Sequence, residues 1–378
     1  MGPSATGPRQ RREYLDWFRG VAVLLMIDAH LFDSWTRTLD RDSRAFDIAM
    51  IAGVGGTTLF LFLAGVAVAL SAGSKLRHTG VASAAARAVT LRGLEIFALA
   101  FLFRLQAYIL GWSHRPMDLL KVDILNIMGP SIAAAALLWR LGSTVLTRWM
   151  IFAGATIAMA VVTPFVRVMR GLLPQPLEAY IVPVPGLSNF VFFPWTALVF
   201  AGAAVGVLID AGISPDADRL MHRRLAIGGV VLTVVSFAAS YLPSPFPGSY
   251  FWSTSPAYLF FRVGLSTSGV VASYMWLKAW GPDFGWSPLS QLGRTSLFIY
   301  WIHVELLYGL ISRPWHRGLT FAQAAVAYLV FCGLMLLCSL AKERAAARFA
   351  RRDPTPESGL DARATAAPAP TRSPPFAG

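Results

Sequence analysis

The stretch LDWFRGVAVLLMIDAH, residues 15–30, decides how the rest of the chain is read. It is apolar enough to lie in a bilayer, yet it holds Asp16, Arg19, Asp28 and His30, and Asp33 follows closely. A spanning helix needs about 20 mostly apolar residues. An ionisable group inside one costs several kcal/mol unless it pairs or faces a polar cavity. Arg19 and His30 are eleven positions apart, which on a helix puts them about 20° off one line and about 16 Å apart along the axis. Asp16 and Asp33 fall within about 40° of that line, whereas Asp28 lies about 180° from Arg19. One face therefore carries an acid and a base at one end, and a histidine and an acid at the other. The plain alternative is that Arg19 snorkels to lipid phosphates and His30 satisfies a core carbonyl.

Outward from this segment the chain repeats the same theme. Of 378 residues, 55% are hydrophobic and 14% charged, against roughly 25% charged in a soluble domain; mean hydropathy is +0.55. These values exclude a soluble globular enzyme, a disordered chain and a collagen-like fibre. Segments 14–34, 46–72, 89–111, 122–139, 149–168, 191–211, 224–242, 256–279, 289–312 and 320–341 each have the length and apolarity of a span. The runs are continuous rather than alternating, which excludes a β-barrel. The expectation is an all-α polytopic transmembrane helix bundle of about ten helices. With the N-terminus cytoplasmic, most Lys and Arg outside the spans fall inside, so both termini are placed in the cytoplasm. The net charge of +13 is read as cytoplasmic loops attracted to anionic lipid or an anionic cofactor, not nucleic acid. Residues 1–12 form a basic tail, 13–342 the membrane domain, and 343–378 a second tail, disordered from about 353 on its Pro, Ala, Thr and Ser content. The expected location is the plasma (inner) membrane. Cys332 and Cys338, six positions apart on one apolar run, point about 120° away from in-line and are not expected to bridge.

Further charges lie inside apolar runs. The third segment holds Arg92, Glu95 and Arg104. Arg92 and Glu95 have i, i+3 spacing and can pair with each other, or Arg92 can bind a phosphate. Arg104 needs a carboxylate, for which Asp28 is one candidate. Asp123, Asn126 and Gly129-Pro130 open the fourth segment, and Phe193-Pro194-Trp195 opens the sixth; both shape a cavity or serve as interfacial caps. The ninth segment carries Arg294, Tyr300, His303 and Glu305. His303 reads either as a structural hydrogen-bonder or as a second polar wall of a cavity. No Walker loop, dinucleotide glycine fingerprint, HExxH or GxSxG elbow is present, and the histidines do not cluster at metal spacing.

The string at residues 15–30 resembles the first helix of integral-membrane acyltransferases. An Arg, ten residues, then a His is similar to the type-3 acyltransferase family. The Asp16-x-x-Arg19-Gly20 opening is closer to the heparan-alpha-glucosaminide N-acetyltransferase-like family. Three later strings also resemble the latter: VDILNIMGPS from Val122, FFPWTALVFAGAAVGVLI from Phe192 and LGRTSLFIYWIHVELL from Leu292. The resemblance implies transfer of an acyl group, usually acetyl, from cytoplasmic acyl-CoA to a sugar hydroxyl or amine, with no metal. On that implication His30 is the base or acyl relay, with Arg19 beside it and Asp33 orienting the imidazole. Arg19, Lys75, Arg77, Arg87 and Arg92 face the CoA phosphates. Asp16, Asp28, Glu95, Arg104, Asn126, Trp195, Arg294, Tyr300, His303 and Glu305 are cavity or structural polar groups. Two departures stand out: the type-3 paired arginines are absent from the third helix, and residues 35–56 hold no His where the lysosomal enzyme has one. The implied partners are the bilayer, acyl-CoA and a sugar or glycan acceptor. The competing readings are a transporter or flippase for a small or lipid-linked solute, and a non-catalytic partner in envelope assembly.

Overall fold

The computed structural model describes residues 12–111, 115–246 and 249–352. The expectations for the basic stretch before Arg12 and for a tail from 353 onward lie outside those residues. The regular elements described are helices: α1 Glu13–Trp35, α2 Arg44–Thr79, α3 Ala82–Leu110, α4 Ile124–Leu141, α5 Val145–Val162, the single turn α6 Gln175–Glu178, α7 Phe192–Ala211, α8 Pro215–Ala238, α9 Pro256–Phe284, α10 Pro288–Arg294, α11 Ser296–Tyr308 and α12 Phe321–Arg352. Two isolated β-bridges, Thr36 with Leu319 and Val122 with Ser188, fasten loops to one another.

Among the described residues, seven helices are long and apolar enough to cross a membrane: α2, α3, α4, α5 extended to Met169, α7, α8 extended to Tyr241, and α12. The chain is a multi-pass helical membrane protein; the larger expected number, ten, is not reached by that measure. α1 is 23 residues long but is rich in charge, and it lies at the centre of the bundle. Ala22, Val23, Ile27 and Leu31 are fully buried, against α2, α9, α10, α11 and α12. The ninth expected span is two short helices, α10 and α11, which meet at Thr295. α12 stays helical to Arg352, past the boundary expected at 342.

Lipid is as apolar as a helix face, so membrane helices associate by close packing, which small residues allow. α1 and α10 touch backbone to backbone through Gly20 and Gly293. A Cβ on Gly20 would strike the Leu289 carbonyl, and one on Gly293 the Asp16 carbonyl. The Gly20 of the first-helix string is therefore a packing requirement. α2 and α7 meet in the same way through Gly65 and Gly202. The N-termini of α2, α8, α9 and α10 are capped by Ser43, Ser214, Ser255 and Ser287, whose hydroxyls accept backbone N–H groups.

Candidate active site

A cavity of about 670 Å³ opens at the end of the bundle where α1 and α11 finish. It is lined from α1 by Met26, His30 and Asp33, from α2 by Thr57, and from α3 by Phe103 and Arg104. Tyr300, Glu305 and Tyr308 contribute from α11, and Lys121, Asp123 and Ser188–Phe190 from two loops. Those loops are held together by the Val122–Ser188 bridge, in which the Val122 N–H donates to Leu187 O at 2.7 Å and Asn189 N–H to Val122 O at 3.0 Å.

His30 and His303 meet here, Nδ1 to Nε2, at 2.9 Å. His303 is fully buried, and its Nδ1 lies 2.8 Å from the Ile299 carbonyl. A carbonyl only accepts, so His303 Nδ1 carries the hydrogen. With both rings neutral, His303 Nε2 must then accept, and His30 Nδ1 donates to it. That leaves the lone pair on His30 Nε2, the ring atom with no protein partner among the described residues. One backbone carbonyl thus fixes the tautomer of both rings.

Asp33 does not hold the imidazole. Its carboxylate accepts from Arg41 Nη2 at 2.6 Å and from the Tyr308 hydroxyl at 2.9 Å, while the Tyr308 ring stands edge-on to His30 with centroids 5.7 Å apart. The expected pairing of His30 with Asp33 is replaced by His30 with His303, because Arg41 reaches back from the turn after α1 and takes the carboxylate. Arg104 pairs with Asp123, not with Asp28. Asn189 also donates to Asp123, at 2.7 Å. Asp28 lies on the opposite side of α1, towards Tyr328 and Cys332 of α12, as its 180° offset requires. Lys121 lies outside the spanning helices and makes no ion pair among the described residues. Burial, reinforced by the Arg104 charge and opposed by Asp118, holds its ammonium below the usual lysine range. Glu305 has a side-chain hydrogen bond with Gln106, but its buried Oε1 has no hydrogen-bond partner among the described residues. No group of three or more His, Cys, Asp or Glu among the described residues is placed to hold a metal.

The opposite end, where α1 begins, holds two smaller cavities that share Arg19. One, of about 300 Å³, is lined by Arg12, Asp16, Arg19, Ser74, Arg77 and Asp210. The other, of about 360 Å³, is lined by Arg19, Ser71, Lys75 and Arg92, with an apolar inner wall. Arg19 donates to Asp16 at 3.0 Å, and Arg77 makes a two-pronged pair with Asp210 at 2.8 and 2.9 Å. Arg92 pairs with Glu95 in the open, both side chains more than half exposed. Lys75 has no ion pair among the described residues.

Residues 11–238 match the catalytic-domain family of heparan-alpha-glucosaminide N-acetyltransferase. The chain belongs to that family. No curated protein matches it. The match makes it a membrane acyltransferase by family and covers the first-helix string and the strings from Val122 and Phe192. The string from Leu292, which carries His303, lies beyond it.

In this family member the expected site residues divide into three groups. His30, Asp33, Arg104, Tyr300 and Glu305 line the large cavity, with His303 directly behind His30. Arg19, Asp16, Lys75, Arg77 and Arg92 gather around the two smaller ones. Arg87 is exposed on α3 and lines none of the three. Asn126 caps α4, its Oδ1 accepting the Asp123 N–H at 3.0 Å, rather than facing the cavity. Arg294 bonds Gln291 and approaches Glu343, and Glu95 serves Arg92. Trp195 lies under the guanidinium of Arg262, 4.4 Å from the ring centroid. Sequence reasoning assigned no site role to Lys121, Asn189, Arg41 or Tyr308. Lys121 does stand beside the Val122 string, and that adjacency was the available signal. Tyr308 likewise directly follows the Leu292 string, whereas Arg41 gave no signal, because its role depends on how the turn after α1 folds.

Proposed function

We propose that this protein transfers an acyl group, acetyl by the family's chemistry, from acyl-CoA to a hydroxyl or amine of a sugar or envelope glycan. His30 acts as the base. The observation that carries the reading is the His30–His303 pair, which leaves His30 with an unshared lone pair on Nε2 beside a large polar cavity.

In the proposed reaction Nε2 takes the proton of the acceptor as its oxygen or nitrogen attacks the thioester carbonyl. The tetrahedral adduct collapses, the carbon–sulfur bond breaks, and the imidazolium returns the proton to the departing thiolate. His30 Nδ1–H stays bonded to His303 throughout, and the Asp33 carboxylate nearby favours the transient positive charge. His303 is a positioning residue: it holds the ring and its tautomer. Lys121, at the cavity wall, faces the acceptor. At the other end Arg19, Lys75 and Arg92 hold the CoA phosphates, Arg19 with its charge partly offset by Asp16, while Arg77 is committed to Asp210. That basic end faces the cytoplasm, where acyl-CoA is found, in the plasma (inner) membrane.

The test is release of labelled acetate from acetyl-CoA by the purified protein in nanodiscs, wild type beside His30→Ala. Removal of a general base costs about 10²–10⁴-fold, so the variant is expected to fall by that much while eluting at the wild-type size. Retained turnover in His30→Ala overturns the assignment.

A further inference from the structure

The large His30 cavity and the smaller cavity with Lys75 and Arg92 are lined by the same five helices. On α2, Thr57 faces the first and Phe60 the second. On α4 the neighbours are Ile124 and Met128, and on α11 Tyr300 and Leu297. Each pair is three or four residues apart, a single helical turn of about 5.4 Å. On α1 and α3 the corresponding residues, Met26 with Arg19 and Phe103 with Ile96, are about two turns apart. The wall between the cavities is therefore one layer of side chains thick on three of its five sides.

Its centre is aromatic. Phe60 stacks on Tyr300, centroids 6.4 Å apart and 21° from parallel, and Tyr300 in turn meets Phe103 at 5.7 Å. Met26 lines the His30 cavity and Met128 the smaller one, and all five side chains are buried. On the proposed reading the phosphates bind at Arg19 and the thioester reacts at His30, about 16 Å further along α1, so the acyl-bearing arm has to pass this layer.

We propose that the two cavities are one passage interrupted by the Phe60–Tyr300 stack, and that Phe60 decides which acyl arms cross to His30. This rests on the acyltransferase reading for its cargo, but not for its geometry. Phe60 sits on the donor side of the stack, so the arriving thioester meets it first. A short acyl group slips past the ring edge, and a longer one meets its face. The closed stack also keeps water in the His30 cavity from following the thiol back.

Two readouts separate the parts of the proposal. The first needs no turnover. Cys332 and Cys338 are replaced by Ser, Thr57→Cys is introduced in the His30 cavity, and a charged methanethiosulfonate reagent is applied to oriented proteoliposomes from the Arg92 face. Labelling is expected to be slow with Phe60 in place and severalfold faster in Phe60→Ala, with Phe60→Leu as the milder replacement should Phe60→Ala fail to fold. Equal rates in the folded variants overturn the passage. The second compares butyryl-CoA with acetyl-CoA. Discrimination by an apolar pocket is about tenfold or more per methylene, and butyryl exceeds acetyl by two, so Phe60→Leu is expected to raise the butyryl-to-acetyl ratio of kcat/KM by about 10²-fold, and Phe60→Trp to lower it. An unchanged ratio overturns selection by Phe60. Absence of wild-type turnover on either thioester counts against the acyltransferase reading alone, and the labelling result then decides the passage.

Discussion

The two ends of this bundle use the same helices for opposite kinds of polar site. At the His30 end the charges are folded into one another. Arg104 is locked to Asp123, Asp33 is shared by Arg41 and Tyr308, and two histidines settle each other's protons. At the Arg19 end Asp16 is buried against Arg19 and Arg77 is paired with Asp210, but Lys75 and Arg92 stand exposed at the rim. The difference is physical. An unpaired charge enclosed by protein costs several kcal/mol and must be answered on the spot. A charge near water can wait for a soluble anion. A site whose base and nearest carboxylates are held by their neighbours suits bond-making, and a cationic rim suits capture of a charged donor.

The comparison is broken most decisively at Arg104. Its removal in Arg104→Met leaves Asp123, whose side chain is 10% exposed, without its cation. Breaking such a pair costs about 3–5 kcal/mol, read as a large drop in thermal unfolding temperature in detergent. Lys75→Ala tests the other end. It is expected to leave the unfolding temperature alone and to raise the KM for acetyl-CoA about tenfold, the equivalent of one charge-assisted hydrogen bond of about 1.5 kcal/mol. High salt should weaken wild-type binding towards the Lys75→Ala value, because exposed charges are screened. A stability loss in Lys75→Ala with unchanged KM would erase the distinction between the ends. The smallest effect concerns Asp40, at the His30 end but outside the membrane-spanning helices. The Phe321 backbone N–H, then Arg37, hold its carboxyl below its ordinary 3.8. A depressed carboxyl stabilises the fold above its ordinary value, and the contribution is lost as pH falls through the lower folded value. Asp40→Asn should therefore lower stability slightly at neutral pH, match the wild type below about pH 4, and so flatten the acid side of the stability profile.

Legibility followed distance along the chain. The Arg19–His30 face was readable because both residues sit on one helix, where 100° per residue is a local rule. The Arg92–Glu95 pair was readable for the same reason, and the structure has it. The opposite placement of Asp28 also followed from angle alone. What misled was proximity: Asp33, one turn from His30, looked like its partner, but Arg41 and Tyr308 hold it. The ninth segment read as one span, yet it breaks at Thr295, where backbone contact with α1 through Gly20 and Gly293 sets α10 apart from α11.

By itself the sequence determined that this chain is a multi-pass helical membrane protein with an ionisable stripe on its first helix. Hydropathy and helical period are properties of neighbouring residues. It also determined the family, through strings that each lie within one segment. Only the tertiary structure decided that His303 stands behind His30, 273 positions away in the chain. It likewise decided that Asp123 answers Arg104, and that the same five helices line both the His30 cavity and a smaller cavity beside Arg19. Those outcomes depend on which faces of different helices meet. That is set by close packing at small residues and by the cost of leaving an enclosed charge unpaired, and neither is a local quantity.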